Sequence, residues 1–201
     1  MTVAFDEFMR QHKMTGSEKA DGYSRDVFVG LDQQEREEVF KLLLNELPYS
    51  IEWLFVLDAE KALDVAKKNE EQWRGDGYER VYMLQEEIIK HTGDLSYQSR
   101  MIEDYPGYVD YLRPLVVDSI GRTTASMASV NFLKQVILTE TGDDAVARAA
   151  RRLLAVLEFP RDTENDEKHY KKLVSDLCSE NTKLKLHAIS QISKYGKSLS
   201  T

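Results

Sequence analysis

Val81-Tyr82-Met83-Leu84-Gln85-Glu86-Glu87-Ile88-Ile89-Lys90-His91-Thr92-Gly93-Asp94 is echoed 49 residues later by Val130-Asn131-Phe132-Leu133-Lys134-Gln135-Val136-Ile137-Leu138-Thr139-Glu140-Thr141-Gly142-Asp143. Six of the 14 positions are identical: Val, Leu, Ile and the closing Thr-Gly-Asp. In each copy an apolar helical pattern stops at Gly, and Asp follows where a new helix needs its N-cap. A helix–turn–helix unit used more than once has this form, and it predicts a scaffold of stacked helices.

Downstream of the second copy, Val146, Ala149, Ala150, Leu153, Leu154 and Leu157 stand at i, i+3, i+4, i+7, i+8 and i+11. These offsets make one apolar stripe on a helix of period 3.6, with Arg148, Arg151 and Arg152 on the opposite side. Phe159-Pro160 closes this helix, and Asp162 to Glu167 reads as an acidic loop. A last pair is expected over Asp166–Cys178 and Thr182–Tyr195, stopped by Gly196. Between the copies, Asp94–Tyr105 is helical, Pro114 bends or splits a helix around Tyr108–Ile120, and Thr124–Thr139 carries Met127, Val130, Leu133, Val136 and Ile137 inward.

Upstream, Val3, Phe5, Phe8 and Met9 mark a short amphipathic helix over 3–13, and Thr15–Ser24 reads as a loop. Asp32 and Glu35 have capping-box spacing at the head of a helix that runs to Leu47. Ser50 can cap Ile51–Leu57, and Asp58 either continues that helix or caps a new one over Ala59–Trp73. The segment from Trp73 to Tyr78 reads as a turn. No block alternates in the manner of a strand, so the expected fold class is all-α.

The chain of 201 residues is expected to form a single all-α domain: 1–30 a short helix and loop, 31–120 N-terminal helical pairs, 121–201 a further run of pairs. Cys178 is the only cysteine, which excludes an intrachain disulfide and fits a reducing compartment; it ends an apolar stripe and reads as core. The N-terminus lacks the basic and apolar regions of a secretion signal, and the expected location is cytoplasmic. The net charge of −8 is uneven: residues 1–110 hold 24 acidic and 13 basic side chains, residues 111–201 hold 11 and 14. An acidic N-terminal half repels phosphate backbones and attracts basic partners.

Catalytic chemistry shows only fragments. Glu87 and His91 lie i, i+4, and Asp166 and His169 lie i, i+3; surface pairing accounts for the first and the helix dipole for the second better than a metal does. Asp162, Glu164 and Asp166 start like a calcium loop but lack its Gly and distal Glu. Ser126, Ser129 and Cys178 have no adjacent base, and no phosphate loop or dinucleotide fingerprint appears. Neither a cofactor nor a metal is expected. Lys168, Lys171, Lys172, Lys183, Lys185, Lys194 and Lys197 could line a nucleic-acid groove, but the acidic balance beside them favours a solvated face. What remains is a protein-binding surface: Glu35, Glu37, Glu38, Glu70, Glu71, Asp76 and Glu79 as acids, with Trp73, Tyr78 and Tyr82 as aromatic anchors. The competing reading buries Trp73 and Tyr82 between helices.

The last pair resembles a HEAT-type repeat, whose second helix tends to read Asp/Asn-x-x-Val-Arg-x-x-Ala-x-x-x-Leu. Asn181, Leu184, Lys185, Ala188 and Ile192 stand at those offsets. Asp143, Val146, Ala150 and Leu154 match as well, with Arg148 one place late, whereas Asp94, Tyr97, Gln98 and Met101 match poorly. The resemblance implies an α-α superhelix of stacked hairpins, the small Ala letting helices approach closely; an irregular helical bundle is the alternative. By size, acidity and lack of a catalytic motif the chain is similar in class to bacterial immunity proteins, which implies a non-enzymatic partner of a basic toxin, such as a nuclease. A general scaffold or adaptor, and a metal-dependent enzyme with a diffuse acidic site, are the other two readings.

Overall fold

The computed structural model describes residues 1–15, 22–75, 80–193 and 195. Every regular element among them is helical. The chain divides into two compact units, Met1–Gln72 and Trp73–Thr201, each with its own core.

In the first unit, α1 (Val3–His12) is followed by a 3₁₀ turn (Arg25–Phe28), α2 (Gln33–Leu44), α3 (Ile51–Leu57) and α4 (Ala59–Gly75). The Asp32 capping box forms as its spacing predicts: the carboxylate accepts from Glu35 N at 2.9 Å, and Glu35 accepts from Asp32 N at 3.1 Å. α2 ends at Leu44, three residues before the predicted stop, and turns carry the chain to Ser50. Ser50 does not cap α3; its hydroxyl donates to Leu43 O at 2.5 Å. Asp58 settles the question of the bend. Its backbone is extended (φ −155°, ψ 96°), so α3 and α4 are separate helices, and its carboxylate caps Lys61 N at 3.1 Å. The core is aromatic: Phe8 stacks on Tyr23 (5.1 Å between centroids) and Phe28 on Trp53 (5.0 Å).

The second unit holds the end of α4, then α5 (Val81–Thr92), α6 (Ser96–Asp104), a 3₁₀ turn (Tyr105–Gly107), α7 (Arg113–Arg122), α8 (Met127–Thr139), α9 (Asp143–Val156), α10 (Glu164–Leu177) and α11 (Thr182–Ile192). Helices adjacent in the chain pack on each other, and so do alternate ones: α5 on α7, α7 on α9, α6 on α8. α5, α7 and α9 therefore form one row, and α6 and α8, with α11 against α8, form the other. The apolar stripe of α9 is buried throughout, from Val146 to Leu157. Each of its leucines withdrawn from water contributes roughly 1.5–3 kcal/mol.

The repeated sequence is a pair of helical hairpins, but not two copies of one structural unit. Its first copy begins on the α5 row and its second, α8, on the other. The shared Thr-Gly-Asp also folds in two ways. Gly93 takes the left-handed conformation after α5 (φ 71°), and Asp94 caps Ser96 N at 2.9 Å. Gly142 has φ −80° and is itself the N-cap of α9, so Asp143 lies inside the helix rather than capping it.

At several other places the fold departs from the local sequence pattern. Trp73–Gly75 continues α4 instead of turning. Pro114 sits in the first turn of α7, where its missing N–H costs nothing, and bends no helix. α8 starts at Met127, because Ser126 and Ser129 form a capping box there; Met127 is 39% exposed, not inward. Glu164–Glu167 is the first turn of α10, not a loop, since Thr163 caps Asp166 N at 3.1 Å. Cys178 caps the end of α10 and is exposed. At the HEAT-like positions of α11, Ala188 and Ile192 are fully buried and Asn181 is the N-cap, but Leu184 is 42% exposed. Gly196 lies outside the described residues.

Candidate functional site

The acids singled out in the sequence separate by burial. Glu35 is buried and spent on the N-terminus: it accepts from Thr2 N at 2.6 Å and Thr2 Oγ1 at 2.7 Å. Burial alone would raise this carboxyl, but the hydrogen bonds from Thr2 and Asp32 outweigh it and hold it below its ordinary range. Glu70 is fully buried. Glu37, Glu38 and Glu71 are exposed, and Gln33 Nε2 donates to Glu37 at 3.1 Å. Tyr82 is buried and meets Tyr108 edge-on at 5.8 Å, so it is core rather than anchor. Trp73 is half-buried. Asp76, Tyr78 and Glu79 lie outside the described residues.

The two candidate metal pairs have local partners. Glu87 pairs with Lys90 at 3.2 Å and with His91 at 3.5 Å. Asp166 is committed to the Thr163 capping box, and His169 lies edge-on to Phe159. No group of three or more metal-ligating side chains occurs among the described residues. Of the lysines, Lys168 pairs with Glu164 and Lys171 with Glu167, while Lys185 donates to Ile137 O at 2.7 Å; Lys194 and Lys197 lie outside the described residues.

A recess in the second unit lies on the arginine face of α9. It is a groove of about 460 Å³ lined by Asp118 from α7, by Asp144, Arg148, Arg151 and Arg152 from α9, and by Tyr170 from α10. Its floor follows from the helix period. Arg148, Arg151, Arg152 and Ala155 stand at i, i+3, i+4 and i+7, on the side left over by the buried stripe. Ala155 leaves room beside the three long side chains.

Asp118 organises the groove. It accepts from Arg152 Nε at 2.8 Å and from Arg148 Nη1. Burial pushes the Asp118 carboxyl up, but the two guanidiniums more than compensate and hold it below its ordinary value. The close approach of α7 that makes these bonds possible rests on Gly121. A Cβ there would stand 2.7 Å from both Cβ and Cγ of Arg152. On the far wall Arg161 lies over the Tyr170 ring at 4.1 Å and is held by Glu167 at 2.8 Å. Arg151 is exposed and makes no hydrogen bond or ion pair among the described residues. Each guanidinium has five N–H donors, so this groove presents unspent donors of positive sign.

The helix period alone puts the three arginines on one face without specifying a partner for them. Their spacing was a sufficient signal for a basic stripe. The participation of Asp118, 30 residues from Arg148 and 34 from Arg152, had no local signal.

The fold and these surfaces define an all-α protein of consecutively packed helices, with a polar groove on one helix face and no helix, among the described residues, long and apolar enough to cross a membrane. No protein-family model, curated protein or solved structure matches the chain.

Proposed function

We propose that the chain is a non-enzymatic protein-binding scaffold whose acidic first unit receives a basic partner, with a second unit built as a short HEAT-like stack. The observation that carries this reading is the division of charge between the units. Met1–Gln72 holds 16 acidic and 9 basic side chains, a net −7, whereas 73–201 holds 19 and 18, a net −1. Glu37, Glu38 and Glu71 stand exposed on the acidic unit. A field of this sign speeds encounter with a cationic surface and repels nucleic acid. Among partners of that kind, a basic toxin blocked by its immunity protein fits the size and acidity; occlusion of a cationic active site by carboxylates would be the mechanism.

The test is titration of the chain with the product of the adjacent gene at low and high salt, repeated with Glu37→Gln, Glu38→Gln and Glu71→Gln combined. The association rate is expected to fall about tenfold on neutralising the three acids and to fall again with salt. Binding indifferent to both would rule out capture by charge. Several unrelated partners of equal affinity would favour a general adaptor instead.

A further inference from the structure

We propose that the α9 groove is a docking site for an acidic peptide segment of a partner protein, anchored by a carboxylate on Arg151. Charge selects the occupant. Arg148, Arg151 and Arg152 bring three positive charges, and Asp118 and Asp144 two negative ones, leaving one positive charge for an incoming group to neutralise. That balance matches a single carboxylate. The same helix face already shows the chemistry, since Asp118 is a carboxylate held between two of these guanidiniums. Arg151 is the one arginine of the three with no such partner among the described residues.

Size argues for a segment over a lone ion. About 460 Å³ far exceeds the roughly 30 Å³ share of a water-sized guest. The groove follows α9 from Asp144 to Ala155 and is walled by Tyr170, whose half-buried ring already carries Arg161 over one face. The site belongs to the second unit and shares no residue with the acids of the first, so substitutions test the two surfaces separately.

The probe is a fluorescently labelled, terminally blocked peptide of alternating Ser and Glu, titrated into the full chain and followed by anisotropy. Its controls are the Gln counterpart and inorganic phosphate as competitor. The Glu peptide is expected to bind at low salt and the Gln peptide not to. Arg151→Ala, at an exposed position, should weaken binding about tenfold while helical content is unchanged. Asp144→Asn removes a competing negative charge from the groove and should tighten binding about threefold, a gain that loss of folding could not produce. Equal binding of the Gln peptide, no effect of Arg151→Ala, or weaker binding by Asp144→Asn would each overturn the proposal. So would full displacement of the peptide by phosphate at equal concentration, which would mark a small-anion site.

Discussion

Replacing Asp118 by Asn keeps the shape of the side chain and removes its charge, which isolates what the carboxylate does for the α7–α9 seam. Asp118 is largely buried, at 14% side-chain exposure, and Arg148 and Arg152 are each about a third exposed, at 35% and 31%. The pairs therefore sit between a surface bridge, worth up to about 1 kcal/mol, and a buried pair whose breakage costs roughly 3–5 kcal/mol. Solvent screening of the arginines places the expected loss near the middle, at about 2 kcal/mol. Part of that loss is repulsion between two guanidiniums left without their common counter-charge. The pH dependence gives a second handle. The folded carboxyl is held below its ordinary value of 3.8, so its contribution is complete above that value and is lost as pH falls through the lower folded one. The assay is urea unfolding followed by Trp73 fluorescence in a Trp53→Phe background, so that a residue of the second unit reports. At neutral pH Asp118→Asn should unfold at lower urea by about 2 kcal/mol, and the gap should close at pH well below 3.8, where the native carboxyl is itself protonated. A gap under about 0.5 kcal/mol at neutral pH, or one that stays constant into acid, would refute the electrostatic account of this seam.

Gly121→Ala should destabilise the second unit by about 1–3 kcal/mol, because its Cβ meets the Cβ of Arg152 rather than a flexible tip; the same fluorescence transition reads it. Gly93→Ala and Gly142→Ala separate the two Thr-Gly-Asp turns. The first, at φ 71°, should cost about 1 kcal/mol, and the second, at φ −80° with open space around it, should stay within about 0.5 kcal/mol of neutral in paired denaturation curves. Ser126→Ala removes the cap of α8 and a buried 2.5 Å bond to Gln98 Oε1, and should lower stability by about 1–2 kcal/mol, with earlier amide exchange in the first turn of α8.

Helices and many of their ends were legible in the chain because they are decided within a turn or two. The Asp32 box, the Val146–Leu157 stripe and the close of α5 at Gly93 each rest on contacts among near neighbours. Where local signals competed, the nearer hydrogen bond won. Thr163 pulled Glu164–Glu167 into α10, and Ser126 with Ser129 delayed α8 by three residues, from Thr124 to Met127. The predicted acidic surface was legible only in part, since charge appears in a sequence without its burial. Glu35 and Glu38 look alike on paper, yet one is locked beneath Thr2 and the other is exposed.

An all-α chain with an acidic first half follows from the residues alone, because a 3.6-residue period and a sum of charges need no knowledge of what lies far away. Packing between distant helices sets which row each helix joins, that identical Thr-Gly-Asp triplets turn differently, and that Asp118 reaches across to the arginines of α9. Those outcomes depend on helices separated by tens of residues and brought together by the burial of apolar faces. Burial constrains which faces meet far more tightly than the pattern along any one helix can specify which helix it will meet.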